Sequence, residues 1–383
     1  MVANKCPSGH LSARSSRYVY YKGLQRMNNK IVGYYNGKFR IGKHIMKSFD
    51  IEPNSFEDMI QMNETNKIKV RLFNIQSETI HNNDNVELEI INIIKNEAFL
   101  IVFGGWIPCT YIKQNSILLA DRNIVSEIRR RYKNGIKKVD EPLDSFDNIF
   151  LNNDIDIMLD ISPFVVEGNK QQIPTNKMID EEIDNAIKDI KSALPNLIIA
   201  TYPNGNTYYY QFRDKLKPII EKRIKFLQKI APKLNKQFTE KSREKAIKII
   251  FETAKEMQVA KDDFIIILVI LRVLMKGKKT AAQLVLKDSQ LYSEENAYNT
   301  AFDLSSIEML YGLDEYHRKN TNYNIALITQ DKGLSLFSSL FNNTKIIGRS
   351  NGKVQIKATI PYVVFSDDEN FLEQYKKWLN GEI

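Results

Sequence analysis

The spacing of apolar residues divides the chain into three parts. Between residues 30 and 112, stretches such as Lys67–Phe73 and Val86–Ile90 alternate apolar with polar side chains, which is typical of half-buried strands. Residues 177–300 repeat their apolar positions at the helical period, and Phe264–Leu271 form an apolar run that is too short to span a membrane. Strand-like and helix-like stretches alternate again towards the C-terminus. This order predicts an α/β protein with a helical segment in its middle.

The same pattern predicts where the domains begin and end. Residues 1–26 show no periodicity, and we expect them to form a disordered or atypical segment. Residues 27–112 are expected to form a small β-rich N-terminal domain. Residues 113–383 are expected to form an α/β domain with a central, mostly parallel sheet and a large helical insertion at about 177–295. Before this insertion, the pattern predicts a helical stretch over Asp147–Val166 that is broken near Pro163.

Acidic residues follow two of the predicted strands directly. An apolar run ends at Ala120 and leads into Asp121, and a second run, Asn324–Thr329, leads into Asp331. After each acid the pattern turns helical. Parallel strands end at the same edge of a sheet, where α/β proteins bind ligands, so we expect the two carboxylates to meet there. Asp303, on a predicted helix, is a third acid of this kind, and such a cluster suits divalent metal ions held against a phosphate.

Charge adds a second indication of a phosphate-bearing partner. The chain has a formal net charge of +9 and a pI of about 9.1. Its segment from Arg213 to Lys245 contains 12 Lys or Arg residues against 4 acids. A nucleic-acid groove lined by Lys222, Arg223 and Lys225 would explain this surplus, and so would the solvated face of an amphipathic helix. The two cysteines and the polar N-terminus lead us to expect a cytoplasmic protein that does not enter a membrane.

Four acidic motifs, in this order, resemble those of the PIN and PIN-like nucleases. The first is the strand that ends in Asp121, and the second is the acid before a glycine in Val165–Gly168. The third is a helix that carries an acid after small and apolar residues, Thr300–Leu304, and the fourth is the Thr-x-Asp motif at Thr329–Asp331. The resemblance covers roughly residues 115–170 and 295–370. About 130 residues separate Glu167 from Asp303, which is more than a minimal PIN domain needs.

The resemblance implies a PIN-like three-layer fold and a metal-dependent nuclease, an endoribonuclease before a DNase. It implies that Asp121, Glu167, Asp303 and Asp331 are both the catalytic residues and the ligands of Mg²⁺ or Mn²⁺. A cellular role as a toxin or as an anti-phage effector would suit such an enzyme. Asp154, Asp156 and Asp160 are alternatives to Glu167 as the second acid.

Three further residues are expected to contact the substrate. Arg122 and Asn123 flank the first acid and are placed to touch the scissile phosphate, unless they cap the helix that follows. The hydroxyl of Thr329 is placed to orient a carboxylate or a phosphate. The expected partner is nucleic acid, RNA before DNA, and a protein regulator or a second copy of the chain is also compatible with the sequence.

Two other functions compete with the nuclease. The first is a non-catalytic nucleic-acid-binding or scaffolding protein on a degenerate PIN-like fold, in which the acids would not converge. The second is a phosphatase with an aspartyl nucleophile, which would need a second Asp two residues after Asp121, where the chain has Asn123. The chain has no glycine-rich phosphate loop, which argues against nucleotide hydrolysis.

Overall fold

The computed structural model describes residues 24–26, 32–35, 38–41, 44–65, 67–77, 85–91, 98–109, 112–141, 143–151, 156–169, 171–275, 280–287, 291–341, 345–350, 353–357 and 369–382. Strands in these residues are β1 (Leu24–Arg26), β2 (Val32–Tyr35), β3 (Lys38–Ile41), β4 (His44–Glu52), β5 (Lys67–Ser77), β6 (Asn85–Ile91), β7 (Phe99–Val102), β8 (Gly105–Pro108), β9 (Ser116–Ala120), β10 (Tyr132–Lys133), β11 (Ile136–Lys137), β12 (Ile157–Asp160), β13 (Ile198–Ile199), β14 (Asn324–Thr329), β15 (Lys345–Ser350) and β16 (Lys353–Lys357).

Helices in the same residues are α1 (Phe56–Thr65), α2 (Arg122–Arg131), α3 (Ser145–Leu151), α4 (Ser162–Glu167), α5 (Asn176–Ala193), α6 (Thr207–Leu234), α7 (Glu240–Glu256), α8 (Phe264–Leu274), α9 (Ala281–Leu286), α10 (Glu294–Asn320), α11 (Lys332–Ser339) and α12 (Glu369–Asn380). The structure is α/β, as the sequence predicts.

A mixed, mostly parallel sheet lies at the centre. Within the described residues it has six strands in the order β13-β12-β9-β14-β7-β8, of which the first four run parallel. All five residues of β9 are buried, as are Ile325–Thr329 of β14. Such apolar runs are typical of parallel strands that are covered on both faces. Helices α2 and α4 contact β9, and α10 contacts β14, so the strand ends that carry the acids lie among helix termini.

The last two strands of this sheet come from the region that was expected to belong to the N-terminal domain. β7 pairs antiparallel with β14, and β8 pairs antiparallel with β7. The expected division after residue 112 therefore falls beyond two strands of the central sheet. The preceding strands form a separate sheet in the order β1-β6-β5-β4-β3-β2, and α1 follows β4. Trp106 joins the two parts, because its indole N–H donates to the carbonyl oxygen of Ser55 at 3.1 Å.

The prediction of one helical stretch over Asp147–Val166 is wrong. The structure has β12 between α3 and α4, and β12 pairs in parallel with β9. β12 has only four residues. Asp156 precedes it and Asp160 is its last residue, so its apolar run is too short to show the period of a strand. The strand matters for the site because α4, which ends at Glu167, begins directly beyond it.

The segment expected as a helical insertion contains helices α5 to α9 and the short edge strand β13. Every residue of α8 is buried, as expected for a helix that is apolar on all sides. The ring of Phe264 in α8 lies edge-on to Phe341, with the ring centroids 4.8 Å apart. α6 contacts α10, α4 and α8. The insertion is therefore packed onto the elements that carry the acids.

Arg223 is buried between α6, α8 and α10, which corrects the expectation that it binds nucleic acid. Its side chain is 1% exposed. Its Nε donates to Asp263 at 2.9 Å, and its Nη1 donates to Ser305 and to Glu308, each at 3.0 Å. A guanidinium with these partners is not open to a phosphate. Lys222 and Lys225 stand on the exposed face of the same helix.

Most of residues 1–26, which were expected to form a disordered or atypical segment, lie outside the described residues. None of the described helices is both long and apolar enough to cross a membrane.

We predict that Arg223→Met destabilises the fold by about 3–5 kcal/mol, because it leaves the carboxylates of Asp263 and Glu308 without their buried partner. The matched control is Lys225→Met on the exposed face of α6, which should change the free energy of unfolding by less than about 0.5 kcal/mol. Chemical denaturation of the three proteins measures both values. Equal stability of the two variants would contradict the structural role of Arg223.

Candidate metal centre

Asp121 and Asp331 lie side by side at the C-terminal edge of the central sheet. The parallel register pairs Leu119 with Leu327 and Ala120 with Ile328, so the two strands end together. Each acid is also the N-cap of the helix that follows its strand. Oδ1 of Asp121 accepts from the backbone N–H of Ile124 at 2.9 Å, and Oδ1 of Asp331 accepts from that of Leu334 at 2.8 Å. Capping therefore fixes one oxygen of each carboxylate and turns the two groups towards the same edge.

The hydroxyl of Thr329 connects these two acids. Thr329 is fully buried as the last residue of β14. Its Oγ1 donates to Oδ2 of Asp121 at 3.3 Å and accepts from the backbone N–H of Asp331 at 3.0 Å. One side chain thus orients the first carboxylate and the loop that carries the second. Its expected role in substrate binding stays a prediction.

Glu167 and Asp303 come from two other elements. Glu167 is the last residue of α4, and Asp303 stands in the first half of α10. The phenol of Tyr298, on α10, donates to the backbone carbonyl of Glu167. This bond joins the end of α4 to the part of α10 that carries Asp303.

Electrostatic interactions link all four carboxyl groups. Burial raises the pKa of Asp121 to about 6, and the charge of Asp331 adds to this rise, whereas the hydrogen bonds from Ile124 and Thr329 lower the pKa. Burial raises the pKa of Glu167 to about 7, and the charge of Asp121 contributes in the same direction.

The pKa of Asp303 shows the coupling most clearly. Burial raises this pKa well above its ordinary value, and the charges of Asp331, Glu167 and Asp121 all raise it further. Each of the other three acids therefore disfavours the ionised form of Asp303. Asp121, Glu167 and Asp303 are thus desolvated by burial, and the charge of Asp331 adds to the repulsion, which a cation would relieve.

The carboxylates do not form a ready-made set of metal ligands. Among the residues that the structure describes, no three His, Cys, Asp or Glu side chains lie close enough to hold an ion as they stand. Asp121 and Asp331 each have an oxygen bound to a helix N-terminus, and the charges repel one another. Hard oxygen donors are nevertheless the ligands that Mg²⁺ and Mn²⁺ prefer, so the donor chemistry fits these ions.

Arg122 is engaged within the protein. Its Nη2 donates to Glu182 at 3.1 Å, and its guanidinium lies 4.4 Å from the ring centroid of Phe164. Its charge also lowers the pKa of Glu167. The expected contact of Arg122 with a phosphate stays a prediction. Asn123 is exposed, and its backbone N–H donates to Asp121, so it contributes to the cap of α2.

The alternatives to Glu167 fit the site less well. Asp160 ends β12, but its carboxylate is 1% exposed and accepts from the hydroxyl of Ser162 at 2.6 Å and from that of Tyr202. Those hydrogen bonds hold it within the protein. Asp156 precedes β12 and lies at the opposite edge of the sheet, where its carbonyl accepts from the N–H of Ser116. Asp154 lies outside the described residues.

Lys287 belongs to the surroundings of the site, although no sequence signal singles it out. It follows the last residue of α9, and its charge lowers the pKa of both Glu167 and Asp303. No motif surrounds it, and 16 residues separate it from Asp303 along the chain. Only the packing of α9 brings it to this region.

Comparison with protein-family models, with curated proteins and with solved structures gave no match to this chain.

We predict that Glu167→Gln makes the metal-free protein more stable at pH 8 but leaves its stability nearly unchanged at pH 5. With a folded-state pKa of about 7, Glu167 keeps its proton in the folded protein at pH 5. The wild type loses stability as the pH rises from the unfolded-state pKa of Glu167 to about 7. In this range the unfolded protein ionises Glu167 more easily than the folded protein does. We expect a gain on the order of 2 kcal/mol for the variant at pH 8.

Thermal unfolding in EDTA at both pH values measures this difference. Asp184→Asn is the matched control, since Asp184 is exposed on α5 and should show no such dependence on pH. A stability gain at pH 5 that equals the gain at pH 8 would contradict the raised pKa.

Proposed function

We propose that this protein is a divalent-metal-dependent nuclease with a PIN-like three-layer fold, and that it cuts RNA. The observation that carries this proposal is the coupling of Asp303 to three acids from three other elements. Repulsion between buried carboxyl groups destabilises a fold, and a site with several of them is a strong candidate for function. Mg²⁺ or Mn²⁺ is the cofactor class that such a donor set suits.

Asp121, Glu167, Asp303 and Asp331 are the residues that would hold the ions. Bound divalent ions would supply Lewis-acid chemistry, which lowers the pKa of a water molecule and neutralises charge on a phosphodiester. The protein supplies the orientation of the ligands. Thr329 fixes Oδ2 of Asp121, while the caps of α2 and α11 fix the backbone beside both strand-end acids.

The charge distribution supports nucleic acid as the substrate. The chain has a net charge of +9, and α6 presents Lys222 and Lys225 on its exposed face. Exposed lysines bind phosphates without regard to sequence, and such binding weakens as salt rises. We take RNA as the first substrate because the nucleases that the motifs resemble act mainly on RNA. A role as a toxin or an anti-phage effector belongs to the same proposal.

A non-catalytic nucleic-acid-binding protein is the second candidate function. One observation favours it: no three potential ligands among the described residues are close enough to hold an ion. On this view, the acids have lost their ligand geometry, and binding through the exposed lysines is what remains.

We predict that cleavage depends on the acids at the strand ends and on α10. Labelled single-stranded RNA, single-stranded DNA and double-stranded DNA would be incubated with the wild type in Mg²⁺, in Mn²⁺ or in EDTA. We expect cutting of RNA in either metal and none in EDTA. Asp121→Asn, Asp303→Asn and Asp331→Asn should each reduce the rate by about 100-fold or more, because each removes a charge that stabilises the transition state through the ions.

Asp184→Asn on α5 is the control for these variants and should cut like the wild type. Equal RNA binding by all of these proteins, without cleavage under any metal condition, would contradict the nuclease and support the binding protein.

We also predict that Thr329→Val reduces the cleavage rate by about 10–100-fold, because Asp121 then loses the hydroxyl that orients it. Thr329→Ser retains the hydroxyl and should keep most of the activity. Rates measured over a range of Mn²⁺ concentrations test this, and we expect the valine variant to need more metal. A valine variant with wild-type rates would show that the hydroxyl does not position the site.

A further inference from the structure

α9 contacts α11, whose N-cap is Asp331, and α10, which carries Asp303. On one side it meets Gly333 in the first turn of α11. A methyl group at Gly333 would lie 2.7 Å from Cβ of Leu284 and 3.1 Å from Oδ1 of Asp331. Only glycine, which has no side chain, allows Leu284 to approach this closely. α9 and the carboxylate of Asp331 therefore both lie next to Gly333.

On its other side α9 is joined to α10. The hydroxyl of Thr300 donates to the carbonyl of Val285 at 3.3 Å and shares a 2.7 Å hydrogen bond with the hydroxyl of Tyr292. Thr300 precedes Asp303 by one helical turn. The C-terminal half of α9 is thus fixed against α11 and α10 at the level of the acids.

Lys287 is the residue at which the chain leaves this helix. Its backbone N–H donates to the carbonyl of Gln283 at 3.0 Å, which fixes Lys287 to the end of α9. Its backbone has φ +50° and ψ 93°, a left-handed conformation that a side chain such as lysine rarely adopts. Strained backbone of this kind is concentrated at functional sites.

The side chain of Lys287 is exposed, and its ammonium group has no hydrogen-bond or ion-pair partner among the residues that the structure describes. The same charge acts on Glu167 and Asp303, whose pKa values it lowers. The end of α9 thus lies against the elements that carry Asp331 and Asp303, and the side chain of Lys287 at this end is exposed.

We propose that Lys287, at the exposed end of α9, binds the scissile phosphate of the substrate. The inference rests on the proposed nuclease function and adds a substrate-contacting residue to it. A phosphodiester that approaches four acids is repelled by each carboxylate that bound ions do not neutralise. A cation whose charge acts on Glu167 and Asp303 would attract the phosphate and would stabilise the further negative charge that develops on it during hydrolysis.

The test compares Lys287→Gln, Lys287→Arg and the wild type in cleavage of a short single-stranded RNA at saturating Mn²⁺. Lys287→Gln should lower kcat/KM by about 100-fold. Lys287→Arg should retain activity within about 10-fold, because arginine keeps the charge. Lys133→Gln is the matched control: Lys133 is an exposed lysine beyond the far end of α2, and its replacement should leave kcat/KM unchanged.

The dependence on salt separates phosphate contact from a structural role. The slope of log(kcat/KM) against log of the salt concentration should become shallower by about 0.7 in Lys287→Gln, which is the value for one contact with a single strand. Lys287→Arg and Lys133→Gln should keep the slope of the wild type.

The outcomes distinguish this inference from the function on which it rests. If the wild type cuts RNA and Lys287→Gln cuts at the same rate with the same slope, this inference is overturned and the nuclease stands. If Lys287→Gln is slower but its slope is unchanged, phosphate contact is also overturned. A wild type that cuts no substrate in any metal overturns both proposals.

Discussion

The parallel pairing of β9 with β14 is the constraint on which the candidate site depends. The two strands are about 200 residues apart in the chain, and their register determines that Asp121 and Thr329 follow the same rung of the sheet. A shift of one residue would turn the side chain of Thr329 to the opposite face and break its bond to Asp121. Close packing of the buried side chains of both strands opposes such a shift, because each side chain would have to move to a site shaped for another. The core of the sheet therefore sets the geometry of the site, and the helix caps then refine it.

This geometry places carboxyl groups together where solvent access is low, so their negative charge has to be offset. The raised pKa values of Asp121, Glu167 and Asp303 are the physical expression of this conflict. Protonation is one way to relieve it, and nearby cations are another. Arg122 and Lys287 both lower the pKa of Glu167, but Arg122 is also paired with Glu182. The divalent ion that we propose for this site would relieve the repulsion more completely.

The sequence predicted the parts of this arrangement that have a local signal. The strand-end positions of Asp121 and Asp331 followed from apolar runs that end in an acid before a helix, and the α/β class followed from the order of such runs. The sequence could not reveal that Arg223 is buried. The basic residues around it have the same spacing whether they face solvent or a binding partner. β12 escaped prediction because four residues are too few to show a period. Lys287 could not be predicted, because its position depends on contacts between α9, α10 and α11, and local sequence spacing does not encode such contacts.

The long segment between Glu167 and Asp303 gains a physical role from these contacts. The buried guanidinium of Arg223 on α6 binds Glu308, only five residues beyond Asp303, and also Asp263 at the N-terminus of α8. These bonds fix the part of α10 on which Asp303 stands. The same segment then returns through α9, which meets α11 at Gly333 and ends at Lys287. Its helices thus support the part of α10 that carries Asp303 and place Lys287 at the exposed end of α9. The proposed nuclease would have to hold mutually repelling carboxylates in place, and a minimal sheet with its flanking helices would lack both of these contributions.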